Sequence, residues 1–497
     1  MISRVVYTFW LITFSNFYLT DSVGTGAQIQ FSQRGLNFIA NAGIQILNSK
    51  IPGITIPDVS SFTSERLKFT YDLSEIKIEQ FNVPPSSNII GMSPPDHFTI
   101  NLGGISASIN AHYKIKVKEG FIHVSKSGTV DASVSSTTID ASVAITSNNG
   151  HPFIQPVICN ANFGAMKIEF HGDLLDDIID LFKKEIERVI KEKLSGIICN
   201  ELQSLETTEG NQFLGAIPLD EGLTGVFTGF HIDYGLTANP TATATSINIP
   251  IEGFFYFEGH QHDSAIPPAN NVIFPTSDPH YLCIDFDADR VFGSAAYAFQ
   301  KSSLSEFLIN DNILKYFGDS VRNFFKCDCA DKNCIGEIVP AIKANCIPGG
   351  SISIDANSIL FPGFHFNSSG AYISATGKGG FQIETPKNVN MKLFDLEMDL
   401  GLLLNSDLKI TNWKLTGDIA LYDYELKVSN SAVGNINADV LQTIFKFALK
   451  DLVVGMANQI LKEGIPLPQI PMATIVNPVF KFGSHSLSVC TDFTLAL

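Results

Sequence analysis

"HIDYGLTANPTATATSINIPIEGFFYFEGH", residues 231–260, is the stretch whose reading decides the fold. It is almost free of charge and holds no nucleophile supported by a base. Its alternating Thr, Ile and Phe residues read as extended strands. Asn239-Pro240 breaks the run, and "SINIPIEGFFYF" (246–257) resumes it with apolar residues facing both ways.

Directly after it comes "EGHQHDSAIPPANNVIFPTSDPH" (258–280), whose four prolines and lack of apolar periodicity read as an extended linker. On either side the same order of elements appears. In the first half, Leu36, Ile39, Ala40, Gly43, Ile44 and Leu47 recur at helical spacing until Pro52 and Pro57 end the run. From about 62 to 170 the pattern changes to short alternating segments, an antiparallel meander. "GDLLDDIIDLFKKEIERVIKEKLSGIIC" (172–199) then carries an apolar stripe of Leu175, Ile178, Ile179, Phe182, Ile186, Val189 and Ile190. Its early acids and late lysines suit a helix dipole. In the second half, 302–325 reads as a helix capped by Ser303 or Ser305, 351–430 as strands, and 437–464 as a long amphipathic helix. The domains expected are therefore 27–257 and 281–497, joined by the linker 258–280.

The composition agrees with this plan. A chain of 497 residues calls for two or three domains, and 45% apolar against 17% charged residues can build large cores. The net charge of -17 opposes nucleic-acid binding and does not by itself favour an anionic membrane. Arg4 followed by the apolar run Val5–Leu19 reads as a secretory signal peptide within 1–26, so an extracellular, secreted protein is expected. Eight cysteines in such a chain imply disulfides. Cys159 and Cys199 bracket a strand-like run and the long helix and are expected to pair. Cys327, Cys329, Cys334 and Cys346 have the density of a zinc knot, although an oxidising compartment favours disulfides, and spacing does not decide whether Cys283 meets Cys490. Asn367-Ser368-Ser369 is an N-glycosylation sequon.

Catalytic patterns are missing. The chain contains no H-E-x-x-H, G-x-S-x-G or P-loop motif, and "GKGG" (377–380) reads as a hairpin turn. His260-x-His262-Asp263 has metal-ligand spacing but sits in the Pro-rich segment, where a solvated loop is the better reading. No enzyme, metal or cofactor is expected. Periodicity alone says that the helical stripes pack a core. If helix and sheet leave a gap, the same stripes would line an apolar tunnel able to take acyl chains at about 0.8 kcal/mol per methylene.

The chain resembles the family of bactericidal/permeability-increasing protein, lipopolysaccharide-binding protein and the plasma phospholipid and cholesteryl ester transfer proteins. The resemblance runs over nearly the whole chain after the leader. It is carried by "FSQRGLNFIANAG" (31–43) with "IPD" (56–58), by "IDYGLTANPTATATSINIPIEGFFY" (232–256), by "EGIPLPQI" (463–470), and by the cysteine pair flanking a strand and a long helix. It implies an α+β fold: an elongated boomerang of two similar domains, each a twisted antiparallel β-barrel-like sheet wrapped on long helices, joined by a central β-sheet to which 231–260 contributes. It also implies an apolar pocket in each domain for phospholipid or lipopolysaccharide acyl chains. Leu36, Ile39, Gly43, Ile44, Leu47, Leu175, Ile178, Ile179 and Phe182 would line the first, and Leu441, Ile444, Phe445, Ala448 and Leu452 the second. Head-group contacts fall to Lys50, Lys114, Lys116 and Lys118, the last three sharing one strand face; a solvated face explains them as well. The acidic first half departs from the cationic tip of lipopolysaccharide binders and argues against killing by membrane disruption.

The function expected is lipid binding in transport or in innate recognition of bacterial lipid, with transient contact to a membrane or lipid-particle surface. A structural protein with a filled core and a protein-binding surface is the alternative.

Overall fold

Ser32 closes the first strand, β1 (Ala27–Ser32), and its hydroxyl accepts from the Gly35 amide to cap helix α1 (Gln33–Lys50). Lys50 in the last turn suits the helix dipole, and Pro52 follows the C-cap Ile51. The computed structural model describes residues 24–496 apart from 65–68, 120–121, 156–157, 173–175, 271, 273–277, 303–304, 316–317, 331, 348–349, 385–389, 405–406, 449–453, 468 and 471–472. The leader expected over 1–26 falls, through residue 23, outside the described residues.

The first half continues with β2 (Phe69–Asn82), β3 (His97–Glu119), β4 (Ile122–Asn148), β5 (Ile158–Asn162) and β6 (Met166–Gly172). Helix α2 (Asp176–Gln203) follows, then β7 (Phe230–Asp233), β8 (Ser246–Ile251) and β9 (Phe254–Phe257). The second half opens on β10 (Leu282–Asp287) and helix α3 (Ala288–Lys301). It runs on through β11 (Ser351–Asn367), β12 (Gly370–Glu384), β13 (Asn390–Leu404), β14 (Ile419–Ser429), α4 (Ala438–Ala448), α5 (Gly455–Glu463), β15 (Ala473–Gly483) and β16 (Ser486–Leu495).

Strand, helix, antiparallel meander and helix thus occur twice. The first meander orders β6-β4-β3-β2, and the second orders β11-β12-β13-β14. Among the described residues neither sheet closes into a barrel, so the barrel-like detail of the expectation finds no support there. Between them lies a sheet built from both halves, in the order Thr241–Ala242, β8, β1, β10, β16, β15. Here β1 pairs on one side with β8 and on the other with β10, from beyond the linker. One face of this sheet is apolar, with Ile249, Ile284 and Val489 in a core that also takes in Phe230, Phe255, Val291 and Leu467.

The stretch 231–260 divides between two sheets rather than serving the central one alone. β8 joins the central sheet, whereas β7 and β9 pair with each other in a separate three-stranded sheet. Gly253 makes the bend between β8 and β9. Its φ is +58°, and a Cβ there would lie 2.8 Å from that of Ala27.

The helix expected over 302–325 is not one helix. Glu306–Ile309 forms a strand on β11, and two short helices, Asp311–Leu314 and Asp319–Phe324, follow. Ser305 caps no helix; its hydroxyl donates to the Ser302 carbonyl, while Ser303 lies outside the described residues. Tertiary pairing overrides the apolar spacing there. The helix lies just upstream instead, as α3, capped by Asp287 accepting from the Arg290 amide.

Candidate functional site

Helix α1 has two apolar edges. Ile44 and Leu47 are buried in the first half's core. Leu36 and Ala40 pack half-buried against the same core, whereas Gly43 is half-buried and Ile39 is 37% exposed. A Cβ built on Gly43 would meet nothing within 4 Å, so open space lies beside the helix at its midpoint.

On α2, Ile179 is half-buried and Phe182 is fully buried, its ring caged by Tyr71, Tyr113 and Phe170 at 5.2–5.6 Å between centroids. The Ile178 side chain and all of Leu175 lie outside the described set. In the second half Leu441 and Phe445 are buried on α4, in a core separate from the central one. Ile444 and Ala448 belong to α4 with side chains outside the described set, as is Leu452 entirely.

A feature absent from the expected residues lies at the junction of the halves. Ile232, Ile251 and Phe255 face Phe286, Val291, Phe292, Leu415, Ile465 and Leu467 across an apolar seam. The cavity between these atoms is about 20 Å³, so this conformation holds a narrow slot. Tyr234 brings a hydroxyl, and it is used: it donates to the Pro466 carbonyl at 2.8 Å, while burial raises its pKa well above the ordinary phenol value. Beside the slot, the Arg290 guanidinium lies over the Phe254 ring at 4.6 Å, donates to the Pro267 carbonyl at 2.7 Å and pairs with Glu252 at 3.4 Å. Burial still wins at Glu252, pushing its carboxyl up to about 7. Segments remote from one another in the sequence make this seam, which is why periodicity missed it. The signal was present all the same, since Ile232 and Tyr234 belong to the landmark 232–256 and Ile465 to Leu467 to the landmark 463–470.

The lysines are only partly gathered. Lys114 and Lys116 are exposed on β3 and alternate with buried Tyr113 and Ile115. Asp72 stands opposite Lys114 in the neighbouring strand and Thr70 opposite Lys116, while the Lys118 side chain lies outside the described set. Exposed Lys50 ends α1, next to the turn that bonds Ile78, and Ile78 pairs with Ile109 on β3. Lys50 is therefore set off from Lys114 by about 17 Å of strand.

All eight cysteines are paired: Cys159–Cys199, Cys283–Cys490, Cys327–Cys346 and Cys329–Cys334. The cluster read as zinc knot or disulfides is thus two disulfides. The described part of the linker is strapped down. His260 bonds Asp263, Asp263 accepts from Tyr297 of α3, and the Asn270 amide donates to Asp287. Those bonds tie 258–270 down at a few points, while Glu258, Gly259, His262, Ser264, Ala265, Pro268 and Asn270 remain exposed, as in the solvated loop expected.

Family models match both halves: the "LBP / BPI / CETP family, N-terminal domain" over 35–210 and the "C-terminal domain" over 226–495. A bactericidal permeability-increasing protein of Sebastes schlegelii is 23% identical over 97% of this chain and 98% of its own. A lipopolysaccharide-binding protein of Bos taurus is 22% identical over 97% of this chain and 96% of its own. A crystal structure of lipopolysaccharide binding protein superposes with a TM-score of 0.60 at 19% identity, covering 95% of this chain and 100% of that one, which establishes a shared fold. With both domain models matched in order across a two-domain structure of that fold, this chain belongs to the LBP / BPI / CETP family.

Proposed function

We propose that this protein is a secreted, non-enzymatic lipid carrier that takes the acyl chains of phospholipid or lipopolysaccharide into its apolar interior. The observation that carries the reading is the seam, where hydrocarbon walls meet and the one hydroxyl is already bonded. Such a slot offers a polar ligand nothing to bond, and an alkyl chain gains by leaving water. The open edge of α1 at Ile39 and Gly43 is the corresponding first-half surface, backed by Ile44 and Leu47. Side-chain rotation around Phe255, Phe292 and Leu467 would widen the seam to admit a chain. Relatives named for binding lipopolysaccharide or for permeabilising bacteria support this ligand class. Lys114 and Lys116 are the head-group contacts proposed, and the acid-rich surroundings favour carriage over membrane disruption.

A filled core is the competing reading, and the ring cage around Phe182 favours it for that part of the first half. One measurement separates the two. Organic extraction and native mass spectrometry of the protein as isolated from its source should recover acyl lipid in stoichiometric amount; a lipid-free protein would sink the carrier reading.

A further inference from the structure

The sequon at Asn367 lies at the tip of the β11–β12 hairpin, where Asn367 pairs with Gly370 across the two-residue turn. Asn367 is exposed, and its Oδ1 accepts from the Ser369 amide at 2.8 Å. That bond turns the amide nitrogen, the atom a glycan is attached to, away from the turn.

Strand alternation puts His365 on the same face as Asn367, and register puts Tyr372 beside His365. Their rings stack at 6.2 Å between centroids. Tyr422 meets Tyr372 edge-on at 6.0 Å and is 65% exposed, and Leu403, the partner of Tyr372 on β13, is exposed as well. A ledge of rings therefore runs across the outer face of the sheet, away from the core that holds Phe366 and Ala371.

Polar groups border the ledge. Tyr372 donates to Asp423 at 3.2 Å, over Gly401, where a Cβ would overlap both groups. Beyond it opens a groove of about 660 Å³ lined by Ser374, Thr376, Asp399, Asp423 and Glu425. Thr376 donates to Asp399 at 2.7 Å. Each carboxylate can accept about four hydrogen bonds, so acceptor positions remain for incoming hydroxyls.

Aromatic faces flanked by carboxylates suit a pyranose. Its C–H face packs on a ring while its equatorial hydroxyls donate sideways. Asn367 lies about 7 Å along the strand from His365, roughly the reach of one sugar residue. We propose that Asn367 carries an N-linked glycan whose core sugars lie down on the His365–Tyr372–Tyr422 ledge and bond the acidic groove beside it. The proposal is independent of the lipid reading. It gives the exposed rings a covering supplied by the chain's own modification.

The test uses the full chain secreted from eukaryotic cells. Peptide mass mapping at Asn367 is combined with iodination of Tyr422, measured before and after enzymatic removal of the glycan from the folded protein. Asn367 is expected to be occupied, with Tyr422 iodinated several-fold more slowly in the glycosylated form. Asn367→Gln protein should label at the deglycosylated rate. An unmodified Asn367, or equal labelling of Tyr422 in both forms, overturns the proposal.

Discussion

Asp285 is a buried charge on the face of the central sheet opposite the apolar core. Its neighbours Ile284 and Phe286 point into that core, whereas Asp285, 0% exposed, turns the other way between Gln28 and Ser488. Neither carboxylate oxygen reaches hydrogen-bond geometry with a partner, although Ser488 and Lys481 ease the charge. Burial dominates and pushes the carboxyl up to about 6 from 3.8. Its folded pKa is raised, so between those two pH values the folded protein holds a proton that the unfolded chain has released. The stability this one group contributes is then full below about pH 4 and is lost as pH rises through about 6. Asp285→Asn removes the ionisation while keeping shape. Urea unfolding should show the variant level with the parent near pH 4 and more stable by roughly 2–3 kcal/mol at pH 7.5. A pH-independent difference would mean that Asp285 is ionised and paired in the folded state. Nothing in the sequence marks this residue, because "LCIDFDAD" reads as an ordinary alternating strand running into a cap.

Helices show most clearly what was legible and what was not. α1 and α2 each bury one face, so their stripes appeared as periodicity, and both lie where the spacing put them. α3 escaped because the residues it buries are mostly small or polar: Ala288, Arg290, Ser294, Ala296, Tyr297 and Ala298 are covered, with Val291 the one large aliphatic among them, so no stripe of bulky apolar residues marked it. The seam escaped with it, since Val291 and Phe292 belong to this helix. On α1 the sequence raised Gly43 as a lining position, and the space beside it makes that testable at the level of the helix. Glycine inside a helix costs about 1 kcal/mol against alanine, and here no neighbour blocks a side chain. Gly43→Ala should therefore stabilise the protein by roughly 0.5–1 kcal/mol. Gly43→Phe should fold as well as the parent yet fill the open edge, and lipid recovered on extraction should fall. If Gly43→Phe retains the full lipid load, chains do not run along α1.

At the scale of the molecule, the linker that looked like a boundary in the sequence is bridged: each half has a core of its own, and a third core, under the central sheet, draws on both sides of it. β1 lies in the middle of a sheet whose other members come from both sides of residues 258–280, pairing with β10 from Ala27↔Phe286 to Phe31↔Leu282. The sequence could not reveal this, because a strand of six residues at the start of the chain says nothing about which later strand it will meet. Across the boundary Ile232, Ile249 and Phe255 share a core with Ile284, Phe286 and Val489. Side chains of this size contribute roughly 1.5–3 kcal/mol each when buried. Holding two separate bodies together costs about 4–15 kcal/mol in lost freedom. Burial across the boundary is of the same order as that cost, and the strand pairing adds to it. A protease site inserted between Ser264 and Ala265, both exposed, tests this directly. No disulfide crosses the cut, since Cys159–Cys199 lies before it and the other three after it. After cleavage the two pieces should co-elute on size exclusion, melt in one transition, and separate only in denaturant without reductant. Independent elution of the pieces under native conditions would show that the central sheet and its core are a weak contact.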